Sequence, residues 1–273
     1  MTEETNLSND KVAKPMAAAS ISVTESPLVS YLLRRADDAL ILGHRLSEWC
    51  GHAPMLEEEM ALANIGLDLI GQARELYGYA ATAEAAGHDE DDLAYLRDER
   101  QYANLLLVEQ PNGDFARAMV RQLFYSAFAD PFWRATMASQ DPTLAAIAAK
   151  SEKESAYHLR HAAEWVIRLG DGTADSKRRA QAAVDDLWAF TGELFHADAV
   201  DQGLIARGVA IDPESLRAAW TATVSDVLRA ATLTKPSNDW MQKGGRAGHH
   251  SEHLGHLLSE LQWLQRTYPG AAW

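Results

Sequence analysis

The chain has 273 residues, 39 acidic against 25 basic side chains, a formal net charge of −14 and 47% hydrophobic residues. The charge argues against nucleic acid or an anionic membrane surface as a partner, and the apolar content is ample for one large core. The single cysteine, Cys50, allows no intrachain disulfide and fits a reducing, cytoplasmic compartment, while no apolar run approaches the roughly 18 residues of a membrane span.

In chain order, residues 1–26 are expected to form a flexible tail rather than a signal peptide, because acidic residues come early and the apolar segment is short. Ser26-Pro27 then reads as an N-cap followed by proline at the first helical position, opening a helix to about Cys50 with Gly51 as its stop. Pro54 opens a second helix ending near Gly87. The acidic connector DEDDLAYLRDERQYANLLLVEQPNG is expected to hold a short helix or two. Asp114 starts a third long helix to about Ala129, which Asp130-Pro131 is expected to break or kink. Asp141-Pro142 opens the fourth, to Leu169, with Gly170 as its stop; a fifth spans roughly Asp175 to His196. Asp212-Pro213 opens a sixth to about Leu233, and the last runs from near Gly248 to about Thr267. Alternating strand patterns are absent. Long helices on short connectors predict an all-α bundle, the first four helices at its core and the later ones packed outside, as one domain over residues 27–273.

The second helix carries a polar stripe. Leu62, Ile65, Leu69, Ala73 and Leu76 recur at helical spacing and mark a core face; Asn64, Asp68, Gln72 and Glu75 recur on another. Leu67, Ile70 and Tyr77 cover part of the rest, so the helix is expected to be buried and Asp68 to need a partner, a proton or a metal. Four-helix bundles with two irons draw one inward Glu from each of two helices and Glu-x-x-His from each of the other two. The first helix offers Asp37, His44 and Glu48 on one face. The second offers Asp68 but no imidazole. The third has Asp114 at its start and no carboxylate within. The fourth has Glu154 and His158, with Tyr157 at the i+3 position, and the one literal Glu-x-x-His is Glu193 to His196 on the fifth. At least two required ligands are missing. Asp68, Glu154 and His158 are therefore expected to form a charge and hydrogen-bond network in place of a metal. Glu48 with Asp68 is a weaker acid–base pair, since nothing marks a nucleophile or oxyanion hole beside it. Near the C-terminus, His249, His253 and His256 fall at i, i+4 and i+7 among His250, Glu252 and Glu260; the exposed polar face of a helix is preferred to a zinc or nickel site, because no buried supporting shell is visible. Cys50 reads as a small core or interface residue. The loop QKGGRAGHH is an entry to the last helix and lacks the spacing of a phosphate-binding loop.

Several long blocks carry a resemblance: DDALILGHRLSEWCGHAPMLEEEMALANIGLDLIGQARELY, DDLAYLRDERQYANLLLVEQPNGDFARAMVRQLFY, KESAYHLRHAAEWVIRLGDGT and WMQKGGRAGHHSEHLGHLLSELQWLQRTYPGAAW. Together they cover nearly everything after residue 28, and they resemble the C-subunit family of the bacterial phenylacetyl-CoA ring epoxidases. The resemblance implies a ferritin-like helical fold with extra C-terminal helices. It implies membership in a multicomponent monooxygenase of aerobic phenylacetate breakdown, whose homologous A subunit holds the diiron centre. It also implies a small B subunit, and a reductase carrying flavin and iron–sulfur groups fed by NADPH. In that family the C subunit is structural, so no residue here is assigned a catalytic, cofactor-binding or metal-binding role. Eight tryptophans (Trp49, Trp133, Trp165, Trp188, Trp220, Trp240, Trp263 and Trp273) are available to a partner surface. The isolated chain is expected to be able to pair with itself. Two readings compete: a ferritin-like oxidase or oxygenase using Glu48, Asp68, Glu154 and His158 with Glu193 or His196, and a metal-binding scaffold working through the C-terminal histidines.

Overall fold

The computed structural model describes residues 20–24, 26–237, 240–269 and 271, so most of the tail expected over residues 1–26 lies outside the described residues. Among those residues every element is helical. Helix α1 (Pro27–Ser47) starts where Ser26 Oγ accepts the Val29 amide at 3.3 Å. It is buried around nearly its whole circumference, Arg34, Arg35, Asp37 and Asp38 included. Helix α2 (Leu56–Glu84) returns against it. The two cross where Gly43 meets Gly66: a Cβ on Gly43 would lie 3.2 Å from the Gly66 carbonyl oxygen, so only glycine allows this approach without a shift.

The connector holds α3 (Glu90–Tyr95), a 3₁₀ turn (Glu99–Gln101) and α4 (Leu106–Glu109). A second long hairpin follows, α5 (Phe115–Thr136) and α6 (Pro142–Gly170), started by the Asp114 carboxylate on the Arg117 amide and the Asp141 carboxylate on the Leu144 amide. Helices α1, α2, α5 and α6 form a ferritin-like four-helix core, in which α1 packs on α2, α5 on α6 and α2 on α6. Contrary to the sequence expectation, Pro131 does not end α5. Proline in a helix costs about 3 kcal/mol, but Phe128, Phe132, Trp133 and Thr136 around it are all buried, and each large apolar side chain contributes about 1.5–3 kcal/mol.

The later elements depart further. Helix α7 (Ala174–Leu187) stops nine residues before the expected His196, and two 3₁₀ turns, Trp188–Phe190 and Gly192–Phe195, replace its last part. Trp188 and Phe195 there join an aromatic cluster with Phe124 and Trp220. Helix α8 (Ala199–Ile205), capped by Asp198, was not expected. Helix α9 (Arg217–Ala230) follows a 3₁₀ turn at Pro213–Leu216. The expected last helix is two, α10 (Glu252–Leu261) and α11 (Trp263–Thr267). At the break, Gln262 Nε2 donates to the carbonyls of Ala94 at 3.2 Å and Arg97 at 3.0 Å. Helices α7 and α9 cover α5 and α6, and α8 lies on α1.

Candidate functional site

The polar face of α2 meets the antiparallel α6 along a ladder of side-chain pairs. Glu58 pairs with His161 at 2.9 Å and Asp68 with His158 at 3.0 Å. Gln72 Nε2 donates to Glu154 at 2.8 Å, and Lys150 Nζ donates to Glu75. Burial pushes the Glu154 carboxyl up, the Gln72 amide pulls it back, and the charge of Asp68 raises it again. The ladder joins Asp68, Glu154 and His158 as the sequence pattern anticipated. It does not enclose Asp68: that side chain is 37% exposed while its partner His158 is 2% exposed. Leu67, read as cover, is 66% exposed, because α2 packs on α1 and α6 and leaves its third side open.

The donor chemistry at the bundle centre does not suit a pair of iron ions. Buried polar groups of α2, α5 and α6 include Glu58 and Gln72 on α2, Gln122, Ser126 and Asp130 on α5, and Ser151, Ser155 and His158 on α6. The one buried carboxylate of the ladder, Glu58, is taken up by His161, and the remaining amides and hydroxyls leave dications short of anionic ligands. Gln122 Nε2 is spent on Ser126 Oγ at 2.9 Å. Because α5 continues past Ala129 it does contain a carboxylate, Asp130, but that group pairs with Arg134 at 2.9 Å.

The other sequence candidates are dispersed. Asp37 lies fully buried against Arg97 and Tyr77. His44 is held neutral, its pKa lowered to about 4 by burial. Glu48 pairs with Arg45 at 2.7 Å and Asn112 at 2.8 Å, so the structure does not assemble a Glu48–Asp68 pair. Glu193 and His196 are not one helical turn apart on a helix: Glu193 sits in a 3₁₀ turn and accepts the amides of Leu106, Gly244 and Arg246, while His196 is the residue after it. His249 precedes α10, which begins at Glu252, so it does not share a helical face with His253 and His256. Among the described residues no group of three or more His, Cys, Asp or Glu is placed to hold a metal ion. Cys50 is exposed rather than in the core. Trp133, Trp188 and Trp220 are core residues, Trp240 and Trp263 are exposed, and Trp273 lies outside the described residues.

Sequence reasoning missed the largest polar assembly, a buried clasp that ties α1 to the connector and to the loop before α10. Asp37 pairs with Arg97 and accepts the Ala103 amide at 2.8 Å. Asp38 pairs with Arg246 at 2.7 Å and accepts the Leu105 amide at 2.8 Å. Glu109 takes His250 at 2.8 Å, the Ser251 amide at 2.6 Å and Asn104 at 2.9 Å. Arg34 grips Asp198 and Asp201 of α8. The available signal was the doublet Arg34-Arg35 with Asp37-Asp38 inside an otherwise apolar helix, where charges must be paired.

A family model described as "Phenylacetic acid catabolic protein" matches residues 13–273. The chain is also similar to the C subunit of the 1,2-phenylacetyl-CoA epoxidase of Escherichia coli (strain K12): 52% identity over 246 residues, which is 90% of this chain and 99% of that protein.

Proposed function

The chain belongs to the phenylacetic acid catabolic protein family, and from that membership we propose that it is a helical subunit of a phenylacetyl-CoA epoxidase, holding no iron itself and pairing with a homologous diiron subunit. The observation that carries this reading is the 52% identity to an epoxidase C subunit along almost the whole of both chains. The α2–α6 ladder supports the metal-free part, since its anionic groups are committed to histidine, amide and ammonium partners. In this reading flavin, iron–sulfur groups and NADPH belong to the reductase of the complex, a small B subunit completes it, and the assembly works in the cytoplasm. No helix among the described residues is long and apolar enough to cross a membrane.

What such a chain contributes is a rigid surface. Positioning of a metal centre in a neighbouring bundle needs supporting contacts that hold ligands and keep water out. The outer side of α2 carries Leu56, Met60 and Leu67, exposed by 70%, 58% and 66%, with Tyr157 of α6 close by in the ladder region. Spacings of four and seven residues place all three on one helical face, and large apolar side chains exposed on one face mark a protein contact. In isolation the same face pairs with a second copy. The test is co-purification with the diiron sister subunit. Leu67→Glu and Met60→Glu are expected to weaken retention at least tenfold while the circular-dichroism melt stays put, since exposed substitutions shift stability by about 0.5 kcal/mol or less. Unchanged retention in both variants would remove this face from the interface.

A further inference from the structure

Between α1, the connector and the loop before α10 opens a cleft of about 240 Å³, whose walls include Arg34, Arg100, Ala103, Arg246 and Gly248. We propose that this cleft is a binding site for a phosphate-class oxyanion, either free phosphate or the terminal phosphate of a nucleotide ester. The inference does not rest on the partner role argued above.

Two of the three basic groups of the cleft, Arg34 and Arg246, are set in place before any ligand arrives. Arg34 is fixed by its terminal nitrogens to Asp198 and Asp201, at 2.6–3.0 Å. Arg246 is fixed in the same way to Asp38 and to the carbonyls of Arg34 and Ala103, at 2.7–3.0 Å. Both use only their Nη atoms, which leaves each Nε–H without an acceptor among the described residues. Gly248, at φ +72°, presses on the backbone of Arg100 so closely that a Cβ there would lie 2.4 Å from the Arg100 carbonyl oxygen. That contact fixes the backbone under Arg100. The Arg100 side chain itself is exposed and, among the described residues, has no carboxylate or carbonyl partner.

Planar guanidinium groups match the geometry of phosphate oxygens; the forks of Arg34 and Arg246 already hold carboxylates and carbonyls, so each offers an anion its Nε–H, and the open fork is that of Arg100. Arginines anchored by carboxylates lose little further freedom on binding. Those same carboxylates offset the charge of Arg34 and Arg246, so the attraction for an anion falls to Arg100. On a chain of net charge −14 an anion is repelled over most of the surface, and the cleft is where that repulsion is locally relieved. Its volume admits a phosphate group but not a whole coenzyme A.

The experiment is a titration of the full-length ¹⁵N-labelled chain with inorganic phosphate, coenzyme A and 3′-dephospho-coenzyme A, read at the Ala103 and Gly248 amides. Phosphate is expected to shift both amides saturably. Arg100→Ala should weaken binding about tenfold, the loss of one charge-assisted contact. Arg74→Ala, which removes an exposed arginine on α2 outside the cleft, should leave it unchanged. Arg100 makes no side-chain contact that folding needs, so an unchanged melt accompanies the loss. Tighter binding of coenzyme A than of its dephospho form identifies the ester phosphate as the natural source; phosphate binding as tightly as either identifies the free anion. No saturable shift at high-millimolar phosphate, or equal affinity in Arg100→Ala, overturns the assignment.

Discussion

Both ring nitrogens of His250 face acceptors, Nδ1 the Glu109 carboxylate and Nε2 the Tyr102 carbonyl, each at 2.8 Å. A neutral imidazole donates only once, so this pair of acceptors favours the imidazolium form. Burial pulls its pKa down, but the bonds to Glu109 and Tyr102 outweigh that and the net shift is upward. A histidine raised in the folded state contributes its full stability below the ordinary value of 6.5 and loses it as pH rises through the folded value. His44 behaves oppositely. Lowered to about 4 by burial, it must stay neutral to fold, so its share of stability is lost as pH falls from 6.5 towards 4. Urea unfolding measured across pH should therefore show stability falling on both sides of neutrality. His250→Gln should flatten the alkaline limb and His44→Leu the acid limb. If neither variant alters its limb, these two rings do not set the pH profile. A second prediction concerns the Asp37–Arg97 pair, both side chains of which are 0% exposed. Removing one partner of a buried pair leaves the other charge uncompensated at a cost of about 3–5 kcal/mol. Asp37→Ala should lower the urea midpoint accordingly, whereas Asp226→Ala, at an exposed surface pair with Arg229, should change it by less than about 1 kcal/mol.

The element scale shows what a sequence reveals and what it withholds. Ser26, Asp114 and Asp141 each cap a helix with their own side chain, as the residue order implied, because capping is a contact over two or three residues. Asp130-Pro131 carries the same local signal and misleads, since the burial on both sides of Pro131 depends on partners far away in the chain. The end of α7 was unreadable for the same reason. Gly192 packs onto Met241, where a Cβ would lie 2.6 Å from the methionine Cγ, and no local pattern announces that contact. The ladder between α2 and α6 was half legible: its residues stood out by spacing, but the openness of the third side of α2 did not. The clasp around α1 joins residues 60–208 apart and left only unpaired charges as its trace. Gly170 tests the packing of elements directly. A Cβ there would fall 2.1 Å from the Ala231 carbonyl oxygen, a backbone atom at the end of α9. Gly170→Ala should destabilise by about 1–3 kcal/mol, the usual cost of overpacking, although alanine is the better helix former. A neutral or stabilising result in urea unfolding would show that α6 and α9 are free to separate there.

At the scale of the whole molecule, the four core helices keep the architecture that holds two metals in ferritin-like proteins while their inward polar groups are amides, hydroxyls and paired charges. The extra elements, from α7 to α11, wrap this core, and the clasp fixes α1 beneath them. The outer side of α2 remains open and apolar, which is the form expected of a subunit that works by leaning on another. The sequence alone indicated both the bundle and the incomplete ligand set, and the family membership now joins them in one account. Its central claim is that this chain supports an oxygenase without holding iron. The direct test is elemental analysis of the untagged chain, expressed alone in iron-supplemented medium. The account predicts no stoichiometric iron; one or more irons per folded chain, lost on Asp68→Ala or Glu154→Ala, would contradict it.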